Sequence, residues 1–225
     1  MGALIRGMTL LAVAVGMTGL AASPAEASTL GGHWGFDEPG TPTTAFDDSG
    51  NSNNGSNKAV VGTGDGYAFN GSTSSVVVAN SPTLNPGTAD FSFAVILQTN
   101  LPAAGTDYDL LRKGLASTPG GEYKIEIVSV NGQAKALCLV KDAAKHVASL
   151  RWAPAGGLAD GRQHTITCSK TSTGVTMKVD TFAPRTKTNA NGIGSISNSS
   201  PLFFGVKTAS GGDEFSGTLY DARVG

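Results

Sequence analysis

Acidic side chains are sparse where paired-carboxylate chemistry would need them. Beyond residue 27 the glutamates are Glu38, Glu122, Glu126 and Glu214, and only Glu122 and Glu126 recur within one strand-like run. Two carboxyls that share work on one glycosidic bond sit about 5–9 Å apart. Two positions four residues apart on a strand are separated by roughly 13 Å of rise. Alternation with Tyr123, Ile125 and Ile127 predicts instead that Glu122 and Glu126 line a solvated strand face. Histidine is equally scattered, since His33, His146 and His164 stand apart, which argues against zinc. Cys168 lies four residues from His164, again roughly 13 Å along a strand, so no thiolate–imidazole pair is expected. The run Gly62-Thr63-Gly64-Asp65-Gly66 lacks the Lys-Ser/Thr and the following helix of a phosphate cradle, and reads as a turn.

Oxygen-rich turns and aromatic rings offer binding rather than cleavage. Calcium takes several ligands from carboxylates and loop carbonyls. Such groups gather at Asp47 and Asp48 in the opening turn, at Asp37 on the first strand, and at Asp213 or Asp221 near the end. Asp48 and Asn51 can equally fix that turn through Asx-type hydrogen bonds, and both readings stay open. For a sugar ring, an aromatic face beside amides and carboxylates is the usual platform. Trp152, at the end of a strand entering the turn 154–157, is the natural candidate, with Tyr108 and Tyr220 as weaker ones. A Trp bordering a strand also packs on the core, and Trp34 is assigned there outright.

The elements that position these residues are strands. Residues 1–27 read as a secretory signal peptide: Arg6 supplies a positive start, residues 7–20 are apolar, and Ala25-Glu26-Ala27 is a cleavage site. The apolar stretch is shorter than the roughly 20 residues of a spanning helix. A secreted protein without membrane insertion is therefore expected, with residues 28–225 forming one domain. Lys and Arg total 16 against 17 Asp and Glu, with no like-charged block, so neither nucleic acid nor an anionic membrane is a favoured partner. Short apolar or alternating runs predict eleven strands: 29–36, 75–79, 91–98, 108–113, 123–130, 134–140, 145–151, 163–170, 175–180, 202–206 and 215–224. Asn131-Gly132 marks a hairpin over 123–140, and Thr173-Gly174 a second reversal. Residues 183–200 read as an exposed connection, or part of a binding rim, with at most a weak strand around Thr186. Cys138 and Cys168 lie in strand-like runs of an exported chain, which points to a disulfide between spatial neighbours, two buried thiols being the alternative.

Several motifs occur in a consistent order. They are His33-Trp34-Gly35-Phe36-Asp37-Glu38, Asp48-Ser49-Gly50-Asn51, Tyr67-Ala68-Phe69-Asn70-Gly71, Asp90-Phe91-Ser92-Phe93-Ala94-Val95, Asp160-Gly161-Arg162-Gln163-His164 and Glu214-Phe215-Ser216-Gly217-Thr218-Leu219. Together they resemble the laminin-G-like, concanavalin A-like lectin/glucanase superfamily in its secreted bacterial form. The resemblance implies an all-β, two-sheet antiparallel β-sandwich, the concanavalin A-like jelly roll. It also implies a structural calcium where the chain termini pair. Catalytic relatives carry a Glu-x-Asp-x-x-Glu run, which this chain lacks. Gln163 and Ile96 stand where the family often has Trp, Tyr220 where acids are common, and Thr181 follows Asp180 where Gly is usual, so that turn must differ. The expectation is a non-catalytic recognition module, with an extracellular glycan or a cell-surface or secreted protein as partner. A divergent glycan hydrolase or lyase drawing acids from separate strands, and a purely structural adhesion protein, are the alternatives.

Overall fold

Strict alternation builds the centre of the molecule. In Phe91–Gln98 the side chains of Phe91, Phe93, Val95 and Leu97 are buried while their neighbours are half-buried on the other face, the period-two pattern of a sheet covering a core. The computed structural model describes residues 31–100 and 107–225; the signal peptide expected over residues 1–27 lies outside the described residues.

Among the described residues, sixteen strands form two antiparallel sheets of eight. The first runs β14 (Arg185–Thr188), β13 (Gly174–Val179), β12 (Gln163–Thr171), β7 (Phe91–Gln98), β16 (Ser216–Val224), β5 (Tyr67–Asn70) and β4 (Val61–Gly62), with β1 (Gly32–Trp34) paired to β16. The second runs β11 (Val147–Trp152), β10 (Gln133–Lys141), β9 (Glu122–Val130), β8 (Tyr108–Lys113), β15 (Leu202–Phe204), β6 (Ser75–Val78), β3 (Gly55–Lys58) and β2 (Thr44–Ala45). This is the two-sheet sandwich expected. The additional strands are mostly β2 to β5, whose two to four residues are too short to carry an alternating signature.

Between the sheets lie Trp34, Phe36, Tyr67, Phe93, Tyr123 and Phe204, all essentially inaccessible. Trp34 meets Phe204 edge-on at 5.0 Å and donates from Nε1 to the Asn53 carbonyl at 2.9 Å, so its one polar atom is satisfied in the core. The first strand is shorter than the 29–36 expected, because Phe36 takes a left-handed backbone (φ 51°) that places its ring against Tyr67 and Phe204. Cys138 on β10 and Cys168 on β12 form a disulfide with a Cα–Cα distance of 5.8 Å. The bridge therefore ties one sheet to the other rather than joining strands within a sheet.

The Asn131-Gly132 hairpin forms as expected, both residues at positive φ (53° and 75°) between β9 and β10. The second reversal is displaced by one residue. Thr171 pairs with Gly174, so Ser172-Thr173 is the turn and Gly174 opens β13. A Cβ at Gly174 would lie 2.1 Å from the Lys187 carbonyl oxygen, so glycine there is what lets β14 approach. In the turn after β13, Asp180 takes φ 50° and its carboxylate accepts from the Thr165 N–H at 2.8 Å.

Candidate functional site

The register fixes which rings can meet. Tyr108, Ile127, Ala136 and Trp152 form one row across the second sheet. Ile127 and Ala136 face the core, so Tyr108 and Trp152 also turn inward at the core's edge. Three strand spacings, about 14 Å, separate them. Tyr220 belongs to the other sheet, beside the register shift in β16, and donates its hydroxyl to Gln98 Oε1, whose amide in turn reaches the Gly161 carbonyl at 2.6 Å. The three aromatic candidates thus do not share a platform.

Trp152 instead acquires partners that the sequence did not single out. Phe182, 46% exposed, meets it edge-on at 5.4 Å, and the Arg185 guanidinium sits 4.5 Å from its ring centroid. Arg185 lies on β14, the weak strand expected around Thr186, which the close approach at Gly174 brings alongside β13. The only sequence signal was that 183–200 might edge a binding surface.

The metal candidates disperse. Asp37 is exposed in the segment after β1, not on the strand, and Asp48 is exposed too. Its neighbour Asp47 holds the turn, accepting from the backbone N–H groups of His33 (2.9 Å), Ser49 (2.9 Å) and Asn53 (2.8 Å). Burial pushes the Asp47 pKa up, but these hydrogen bonds outweigh it and hold the carboxyl below its ordinary value. The Asx-type role is therefore real and belongs to Asp47. Asp221 is engaged by His33 at 2.8 Å and by Arg223 at 2.9 Å. The other histidines are likewise held by carboxylates, His146 by Asp142 (2.9 Å) and His164 by Asp160 (3.0 Å) and Asp180 (2.9 Å). Among the described residues, one set of three acidic side chains has ligating oxygens within 4.8 Å of one another: Asp109, Glu126 and Asp213. Of the metal candidates read from the sequence it contains only Asp213.

That set belongs to a buried charged array which corrects the reading of Glu122 and Glu126 as a solvated face. The two are 3% and 1% exposed. Projecting opposite to Tyr123, Ile125 and Ile127, they converge on one guanidinium: Arg112 Nη1 lies 3.3 Å from Glu122, and Arg112 Nη2 pairs with Glu126. Arg112 Nε also donates to Asp109 at 2.7 Å, and Lys124 reaches Glu126 at 2.5 Å. The 13 Å of backbone rise is thus bridged by side chains of opposite charge. A β-bulge makes this possible. Asp109 and Arg112 are three apart and would alternate to opposite faces, but the register shifts between Asp109 and Leu111, sending Leu110 and Leu111 both into the core and returning Arg112 to the face of Asp109.

Burial and the nearby Glu126 push the Asp109 pKa up to about 7, although Arg112 pulls the other way. Burial disfavours the charged Arg112 too, and the surrounding carboxylates more than offset it, leaving its pKa raised. Next to Arg112, at the end of β8 away from Tyr108, Lys113 donates to the Asn198 and Ser200 carbonyls and to Asn80 Oδ1, pinning loops with neutral acceptors, and its pKa falls to about 8 through burial. A cleft of about 590 Å³ near that end is lined by Pro82, Thr83, Asp90, Phe91, Lys170 and Val224 among others. Its one aromatic ring, Phe91, is buried, so stacking chemistry resides at the Trp152 end.

No protein-family model and no curated protein matches the chain by sequence. Solved structures match it by shape. The binding domain of Paraclostridial Mosquitocidal Protein 1 aligns over 87% of this chain and 48% of its own, with a TM-score of 0.64 and 17% identity. Domain 4 of AbnA, a GH43 extracellular arabinanase from Geobacillus stearothermophilus, in complex with arabinotriose, aligns over 87% of this chain and 91% of its own (TM-score 0.61, 12% identity). The binding domain of botulinum neurotoxin DC in complex with SialylT aligns over 87% and 47% (TM-score 0.58, 12% identity). The chain spans about half the length of the two toxin binding domains. At such identities the likeness establishes the fold alone, a two-sheet antiparallel β-sandwich. No helix among the described residues is long and apolar enough to cross a membrane.

Proposed function

We propose that the chain is a secreted, non-catalytic recognition module that binds an extracellular glycan at the corner formed by Trp152, Phe182 and Arg185. The observation that carries this reading is an exposed ring (Phe182) beside a half-buried indole with a guanidinium stacked on it. Such a corner offers apolar faces to a sugar ring and fixed N–H donors to its hydroxyl or carboxylate groups. Shape-related domains solved with arabinotriose and with SialylT support a carbohydrate partner. The non-catalytic reading is supported by the convergent carboxylates Asp109 and Glu126, which are 0% and 1% exposed and committed to Arg112 rather than lining an open groove.

A glycan array probed with the mature chain, once with calcium and once with chelator, tests the reading. Binding to a glycan class that Trp152→Ala and Phe182→Ala each weaken about tenfold, the scale of losing roughly 1–1.5 kcal/mol of aromatic contact, is the expected result. Silence on the array in both conditions removes the proposal. Cleavage of any arrayed glycan replaces it with the hydrolase or lyase alternative.

A further inference from the structure

We propose that Asp109, Glu126 and Asp213 form a binding site for a hard divalent cation, seated between β8, β9 and the loop that leads into β16. The three carboxylates come from distant parts of the chain, and their oxygens lie within 4.8 Å of one another. Only oxygen is offered, the donor set that suits calcium, magnesium or manganese rather than zinc or copper.

Two independent features point to a ligand. First, Asp109 Oδ2 and Glu126 Oε2 are buried and accept no hydrogen bond, while the other oxygen of each carboxylate is taken by Arg112. A buried carboxylate oxygen without a partner is costly to desolvate, and such atoms in a folded protein call for an unseen occupant. Second, charge does not balance. Asp109, Glu122, Glu126 and Asp213 face Arg112, Lys124 and Lys207, which leaves one negative charge uncompensated.

A proton on Asp109 is the competing occupant, and burial does favour one. Asp213 tips the balance toward a metal ion. Its backbone is held at φ 51°, its carbonyl accepts the Asp109 N–H at 2.9 Å, and its partly exposed carboxylate lies at the rim of the array. That placement adds a third ligand and a route from solvent, neither of which a shared proton requires. Lys207, at 2.9 Å from Asp213 Oδ2 and itself 43% exposed, can swing into water when an ion takes its place.

The test uses the chelator-treated mature chain, titrated with Ca²⁺, Mg²⁺ and Mn²⁺ in turn by calorimetry at pH 8 and pH 6, with thermal melts alongside. Saturable binding of at least one ion is expected, with a Kd on the order of 10⁻⁴ to 10⁻³ M, as for extracellular calcium modules. Asp213→Asn, at the rim where the fold tolerates it, is expected to weaken binding at least tenfold, as is Asp109→Asn. Lys207→Ala is expected to tighten it. No heat with any of the three ions up to about 10 mM, or binding that both Asp variants leave unchanged, overturns the site, the first by leaving the proton as occupant and the second by placing the ion elsewhere. Neither result bears on glycan binding at Trp152, which the array reads separately.

Discussion

Replacing Asp109 by Asn in chelator-treated protein should stabilise the fold at high pH, against the usual rule that a buried ion-pair partner is costly to lose. The Asp109 carboxyl has its pKa raised to about 7 in the folded chain, from an ordinary 3.8. Its folded pKa exceeds its unfolded one, so the stability it contributes is fully present below the unfolded value and drains away as pH rises through 7. At 1.36 kcal/mol per pKa unit, the ionised form costs on the order of a few kcal/mol at pH 8, and about a third of that at pH 5, where the unfolded state alone is deprotonated. Asparagine keeps an oxygen for Arg112 Nε and carries no charge to desolvate, so it resembles the protonated acid. The expected gain is therefore about 2–4 kcal/mol at pH 8, shrinking to about a third of that at pH 5. In a chain of this size it raises the melting temperature by roughly 4–16 °C at the higher pH. Denaturant melts of both proteins at pH 5, 6, 7 and 8 make the measurement. A variant less stable than the parent at pH 8, or a difference that does not change with pH, would show that Arg112 fully compensates the carboxylate and would refute the argument.

The remaining expectations follow from geometry already described. Cys138→Ala with Cys168→Ala opens a loop with a sequence separation of 30, and the chain-entropy account gives a loss of roughly 3–4 kcal/mol in equilibrium unfolding; a loss under about 1 kcal/mol refutes it. Asp47→Ala strands the N–H groups of His33, Ser49 and Asn53 and should cost about 2–4 kcal/mol at pH 7. Because the Asp47 pKa is lowered on folding, its contribution is present above the unfolded value and lost as pH falls through the folded one, so parent and variant should converge in acid unfolding below about pH 4. Gly174→Ala forces a Cβ to within 2.1 Å of the Lys187 oxygen and should detach β14, read as faster proteolysis within 183–200 and as loss of the Arg185 stack on Trp152, with the rest of the sandwich intact.

Much of the architecture was legible in the chain because it rests on local, periodic rules. Phe91 to Gln98 announces a half-buried strand by alternation, Asn131-Gly132 announces a hairpin by its tolerance of positive φ, and Cys138 with Cys168 announces a bridge. The short strands β2 to β4 were invisible because two to four residues complete too few periods to stand out.

The sequence by itself therefore determined an all-β chain with its hydrophobic faces, its main turns and Trp34 in the core. Only the tertiary structure decided which polar groups meet. Tyr108, Trp152 and Tyr220, grouped by residue type, are distributed over two sheets, whereas Trp152, Phe182 and Arg185 come together through β14 packing beside β13. Asp109, Arg112, Glu126 and Asp213 converge because one bulge shifts the face of β8 and a loop brings in the last carboxylate. A bulge is one extra residue in a ladder, and its consequence depends on the partner strand. No period along a single chain encodes it, so local pattern fixes the strands while long-range register fixes the chemistry.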